Sequence, residues 1–210
     1  MPSTVWTPVA LARDLPPRLV IPVTCNDQDL ALWRSESGKV QAWIDRCPHR
    51  GMRLSHGFVR GELLSCIYHG WRYDGAGICR KIPAHPDLEP PATIRTTAWR
   101  CHEQDGVIWI APQEDSENAD LPPALPGLDA LRSIPVQATV AQIAAACAQP
   151  KAMILTHEGL TLLAQPGKDG TVLHALIAAE TATPADRIKA SRALETLRLQ
   201  IEATVSRSAA

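Results

Sequence analysis

Four side chains in this sequence have the type and spacing to hold a metal centre. Cys47 and His49 lie in Cys47-Pro48-His49-Arg50-Gly51, and Cys66 and His69 lie in Cys66-Ile67-Tyr68-His69-Gly70-Trp71. Each segment offers one thiolate and one imidazole from a short loop. Two soft thiolates suit a ferric iron bridged by sulfide, and two neutral imidazoles suit a second iron. Replacing two thiolates by imidazoles makes such a [2Fe–2S] cluster less negative and raises its potential above that of an all-cysteine cluster. The competing reading is a structural zinc ion held by the same four groups. Zinc sites often put both sulfurs on one loop, as C-x₂-C with H-x₃₋₅-H elsewhere, whereas here each loop mixes one sulfur with one nitrogen. Gly51 and Gly70 allow tight turns that bring backbone N–H groups toward the sulfides.

The elements that must position these loops read as short strands with turn punctuation. Residues 18–24 are rich in β-branched side chains. Residues 30–34 and 39–45 flank Ser35-Glu36-Ser37-Gly38 and read as a hairpin. Residues 62–67 and 71–73 follow, and residues 94–102 and 107–111 flank a second turn at Gln104-Asp105-Gly106. Strands at this spacing predict an antiparallel β-sandwich or small barrel. Residues 112–127 are acidic and proline-rich and read as a linker. Beyond them, residues 136–148 read as a short helix, and 152–156, 160–165 and 171–180 as three strands. A final helix starts at Thr183 as N-cap and Pro184, with Ile188, Ser191, Leu194, Leu197, Ile201 and Val205 on one face. The predicted fold class is α+β, with residues 1–111 as one domain and 128–210 as a small region with a short antiparallel sheet and a terminal helix.

Composition narrows the function classes. All six Trp, both Tyr and the single Phe lie at or before Trp109, so the C-terminal region must build its core from aliphatic side chains. A net charge of −1 argues against nucleic acid as a partner, which calls for a clustered basic surplus. No apolar run is long enough to span a bilayer. Met1 to Leu15 has no basic patch followed by an apolar core, so the expected location is cytoplasmic, with the thiols reduced. Of the six cysteines, Cys25, Cys79, Cys101 and Cys147 lack ligand-like spacing and read as small buried or half-buried side chains.

The motifs around the four candidate ligands resemble those of the Rieske non-haem iron oxygenases. The likeness covers residues 5–111 and is nearest to the vanillate demethylase and phenoxybenzoate dioxygenase type. It runs through Trp6-Thr7-Pro8-Val9, Leu32-Trp33-Arg34, Asp45-Arg46-Cys47-Pro48-His49-Arg50-Gly51, Leu54-Ser55, Cys66 to Gly75, Lys81-Ile82-Pro83 and Asp105 to Trp109. The Rieske type of respiratory bc complexes is less similar, since its loops each carry an extra cysteine for a disulfide. The resemblance implies a [2Fe–2S] cluster on Cys47, His49, Cys66 and His69, with the two histidines at an exposed tip as the electron exit. Their ring N–H groups would make the potential pH-dependent. Arg50 and Tyr68 would share that tip, Arg50 serving either docking or solvation.

In that family a second domain binds one ferrous iron through two histidines and a carboxylate, in a D-x₂-H-x₄-H pattern. Residues 136–150, where it is expected, contain no metal-binding side chain except Cys147. His157 and His174 are the only histidines beyond residue 102, and they read as exposed or cross-strand polar residues. No mononuclear iron is therefore expected. Residues 160–166 and 171–177 weakly resemble a late sheet of that domain, which makes the C-terminal region a candidate shortened relic of it. The implied role is single-electron transfer from a reductase or ferredoxin to a partner oxygenase. The alternatives are an oxygenase subunit whose iron another chain supplies, for aromatic hydroxylation or O-demethylation, and a non-catalytic redox sensor.

Overall fold

The computed structural model describes residues 6–113, 121–149 and 154–208. In chain order the first strands are β1 (Thr7–Leu11), β2 (Val20–Cys25), β3 (Gln28–Arg34), β4 (Val40–Ile44), β5 (Phe58–Arg60), β6 (Leu63–Ser65), β7 (Arg72–Tyr73), β8 (Cys79–Lys81), β9 (Ala98–Gln104) and β10 (Val107–Ala111). They form a six-stranded sheet in the order β1-β10-β9-β4-β3-β2 and a four-stranded sheet in the order β5-β6-β7-β8. After them come β11 (Leu128–Val136), α1 (Val140–Ala146), β12 (Ile154–His157), β13 (Leu160–Gly167), β14 (Gly170–Ala178) and α2 (Pro184–Ser208). The backbone groups into two units. One holds Met1–Thr7, Ala12–Glu103 and Trp109–Pro122; the other holds Pro8–Leu11, Gln104–Ile108 and Pro123–Ala210.

The first unit is organised by its aromatics. The β3–β4 hairpin pairs Ala31 with Trp43 and Trp33 with Gln41. Ala31, Trp33 and Trp43 thereby join one buried face. Val59, Leu64, Tyr73 and Cys79 of the four-stranded sheet complete the same core, together with Cys47 and Cys66. Trp33 meets Trp43 edge-on with ring centroids 4.9 Å apart, and Trp43 meets Tyr73 edge-on at 6.4 Å, within the range that favours aromatic pairs. Both hairpins expected here are present. β1, β5 and β8 were not expected; the last two are three residues each, too short to show periodicity.

The second unit is a four-stranded antiparallel sheet, β11-β14-β13-β12, packed against two helices. Its core is aliphatic apart from Cys147, with Leu131, Ile134, Ile143, Leu155, Leu162, Leu173, Leu194 and Ile201 among its members. The helix expected from residue 136 begins four residues later, because Val136 ends β11 and Thr139 is the N-cap. Thr139 and Gln142 form a reciprocal capping box. β11 escaped the sequence pattern because a bulge between Ala130 and Arg132 breaks its alternation. On α2, Leu194, Leu197, Ile201 and Val205 pack inward as expected. Ile188 does not; it is 55% exposed, since at 3.6 residues per turn it lies on the opposite side of the helix from the buried Leu197. Within the expected linker, residues 114–120 lie outside the described residues, as do 152 and 153 of the expected strand 152–156.

His174 on β14 is buried between two cross-strand partners. Its Nδ1 is 2.8 Å from Ser133 Oγ, and its Nε2 is 3.0 Å from Gln165 Oε1. Ser133 and Gln165 meet its two nitrogens, and the Pro8 carbonyl accepts a hydrogen bond from the ring as well, so both nitrogens have partners. Burial lowers its pKa to about 4 from an unfolded value of 6.5. The folded state therefore resists protonation that the unfolded chain accepts, and stability falls as pH drops from 6.5 toward 4. The loss expected from this residue is about 3 kcal/mol. Urea unfolding followed by circular dichroism should show it, and His174→Gln should remove that part of the pH profile.

Candidate metal centre

The two cysteine–histidine segments fold into matching loops. In the first, Gly51 N–H donates to the Cys47 carbonyl (2.8 Å) and Cys47 N–H donates to the Met52 carbonyl (2.8 Å). In the second, Gly70 N–H donates to the Cys66 carbonyl (3.0 Å) and Cys66 N–H donates to the Trp71 carbonyl (2.9 Å). Both turns close through a glycine in the left-handed region, Gly51 at φ 71° and Gly70 at φ 70°, where other residues are strained.

Each loop is held at its base. The first leaves β4 at Asp45, a buried carboxylate that accepts from Ser55 N–H (2.7 Å) and Ser55 Oγ–H (2.6 Å) across the loop. The second lies between β6 and β7. Its base packs against Gly57, where a Cβ would fall 2.2 Å from the Ser65 carbonyl oxygen.

This scaffold sorts the four candidate side chains by chemistry. The Cys47 and Cys66 thiols are buried and in contact with each other. Burial pushes the Cys66 thiol up, while backbone N–H groups of Tyr68 and His69 donate to its sulfur and pull the other way. The imidazoles of His49 and His69 meet edge-on at 4.6 Å, His49 half-buried and His69 exposed. His49 also stacks flat on Trp71, with centroids 4.2 Å apart and planes 4° from parallel. Burial, then His69 and Arg50 nearby, lowers the His49 pKa. Thiols therefore pair on the inside and imidazoles on the outside. Among the described residues no three His, Cys, Asp or Glu side chains gather to hold a metal ion.

Several supporting residues were not singled out from the sequence. The Tyr73 hydroxyl lies 3.0 Å from Cys47 Sγ in the dry core, and burial raises its pKa far above the ordinary tyrosine value. Ser65 Oγ is buried with no partner among the described residues, immediately before Cys66. Trp71 acts as a wall for His49. The alternation of β7, which points Tyr73 inward, was the signal for the first; nothing local marks the others. The remaining cysteines are unpaired. Cys79 packs in the same core, and burial pushes the thiol pKa of the half-buried Cys101 up to about 12.

Residues 5–96 match the family model of the Rieske [2Fe-2S] domain. This chain carries a Rieske [2Fe–2S] domain. Such a domain implies a [2Fe–2S] cluster, and the residues present fit one: two thiols, two imidazoles and an orphaned hydroxyl at Ser65 beside them. Among curated proteins the chain is 47% identical over 105 residues to Oxidoreductase NdmD of Pseudomonas putida, covering 50% of this chain and 18% of that protein. It is 39% identical over 140 residues to 4beta-methylsterol monooxygenase of Methylococcus capsulatus, covering 64% of this chain and 37% of that one. The chain thus spans well under half the length of these relatives. Among solved structures, NdmA of Pseudomonas putida CBB5 superposes with a TM-score of 0.74 at 19% identity, over 95% of this chain and 81% of that one. Apo dicamba monooxygenase gives 0.75 at 18% identity, over 98% and 87%. The Rieske fold is therefore shared, and the likeness in fold extends past the Rieske domain. No helix among the described residues is long and apolar enough to cross a membrane.

The bases of the two Rieske loops should be sensitive points. Asp45→Ala strands the buried Ser55 N–H and should cost about 2 kcal/mol. Gly57→Ala forces the Ser65 carbonyl aside and should cost about 3 kcal/mol. Urea unfolding read by tryptophan fluorescence checks both, because every tryptophan lies at or before Trp109.

Proposed function

We propose that Cys47, His49, Cys66 and His69 hold the [2Fe–2S] cluster, and that the chain passes single electrons from a reductase or ferredoxin to a partner oxygenase. The carrying observation is the sorting of ligands. Two buried thiols and two outward imidazoles match a cluster with one iron on sulfur and one on nitrogen. When bound, the cluster supplies a one-electron store near the surface. The chain's own residues do the rest. Tyr73 donates toward Cys47, Trp71 orients His49 by stacking, and the exposed His69 ring offers a short path outward.

The same reading gives this chain no oxygen-activating iron. His174 already spends both ring nitrogens on Ser133 and Gln165. His157 lies two strands away, in register with Ile177 rather than with His174. Strand spacing and rise put the two histidine positions about 14 Å apart, too far for one metal. The second unit is proposed to be a shortened relic of an oxygenase domain. A cytoplasmic location belongs to this reading and is supported by six unpaired cysteines. One observation favours a second reading, an oxygenase subunit whose iron comes from another chain: the fold of NdmA continues over 95% of this chain.

Iron and acid-labile sulfide analysis of the purified protein tests the assignment. About two irons and two sulfides per chain, with a Rieske-type paramagnetic resonance signal, are expected. A lone zinc would overturn the cluster assignment. A third iron, or turnover of aromatic or O-methyl substrates with a reductase alone, would overturn the carrier role. Tyr73→Phe should keep the cluster but lower its potential by on the order of 40 mV, since it removes a hydrogen bond that favours the more negative, reduced state. Spectroscopic redox titration measures this.

A further inference from the structure

An open cavity of about 370 Å³ lies beside the first Rieske loop. Cys47 and His49 form part of its lining, and Arg46, Arg50 and Arg95 supply its charge, with no carboxylate among the lining residues. Arg46 and Arg50 sit at the two ends of the ligand tripeptide Cys47-Pro48-His49. Arg95 is brought alongside by the main chain, where Ile44 N–H donates to the Thr97 carbonyl at 2.9 Å and Thr96 N–H to the Gly77 carbonyl at 2.9 Å. All three guanidinium residues are exposed. None forms an ion pair among the described residues, whereas Arg53 and Arg80 on the same unit are paired to Asp29 and Asp74. The chain as a whole has 21 Lys and Arg against 22 Asp and Glu, so this cationic concentration is local.

We propose that this cavity is the docking face for an acidic electron-donor protein, whose surface carboxylates engage Arg46, Arg50 and Arg95. The inference rests on the electron-transfer reading above and names the partner that reading leaves open. Its location brings a donor against the loop that carries Cys47 and His49. Exposed, unpaired cations around an open hollow steer a charged protein toward one approach and let it leave again. The other loop offers a different chemistry: Ile67 is 57% and Tyr68 55% exposed, an apolar tip suited to a longer-lived contact. The donor is therefore assigned to the basic side.

The test is stopped-flow reduction of the oxidised, cluster-loaded protein by a reduced plant-type [2Fe–2S] ferredoxin, which is acidic, between about 20 and 300 mM salt. The wild-type rate should fall steeply with salt. Arg95→Gln, which lies outside the ligand loops, should slow reduction several-fold at low salt. The triple variant R46Q/R50Q/R95Q should slow it by about tenfold or more and flatten the salt dependence. The cluster's resonance signal and its full reduction by excess dithionite should be unchanged in Arg95→Gln. Equal rates in wild type and Arg95→Gln, an unaltered salt slope, or no reduction by ferredoxin at any salt would overturn the docking face. Loss of dithionite reduction in the wild type would instead overturn the electron-transfer reading itself.

Discussion

The structure of the first unit depends on two short loops being closed in the same way and set side by side. Each cysteine carbonyl is capped by a glycine four residues on, and each cysteine N–H reaches a carbonyl five residues on. Those bonds turn the thiols into the core and leave the imidazoles outside. Neither loop could hold this shape alone. Asp45 spans the base of one through Ser55, and the bare Cα of Gly57 lets the other approach closely. The aromatic core of Trp33, Trp43 and Tyr73 then supplies a dry, rigid wall behind the sulfurs.

Polarity is graded across that arrangement. Behind the thiols lie buried rings and only a few donors, among them Tyr73 and Ser65. In a low-dielectric site each such donor counts for more than it would in water. In front lie the half-buried His49 and the exposed His69, an apolar tip at Ile67 and Tyr68, and the arginines of the neighbouring cavity. A redox group set in this gradient is shielded on one side and reachable on the other, the combination that electron transfer between proteins requires.

The second unit solves a different packing problem with no aromatic side chain. Leu, Ile, Val and Ala from four strands and two helices fill its core. Its one buried histidine is satisfied by two neighbours across the sheet, so it acts as a structural crosslink rather than a free ligand. Fold similarity to NdmA and dicamba monooxygenase runs through most of the chain, while sequence similarity to the curated relatives is concentrated in half to two thirds of it.

By itself the sequence determined the local chemistry. Short-range patterns sufficed for the mixed Cys–His spacing, the glycines that turn each loop, the β3–β4 hairpin and the capped start of α2, because each depends on residues within a few positions of one another. Tertiary structure decided what those patterns could not carry. The pairing of thiol with thiol and imidazole with imidazole joins loops far apart in the chain. So does the approach of Arg95 to Arg46 and Arg50. β11 is hidden by a bulge; Ile188 is a different case, since nine residues at 3.6 per turn already set it opposite Leu197. Side-chain type and spacing can nominate a donor, but burial, orientation and the company of distant groups arise only when the sheets close over one another.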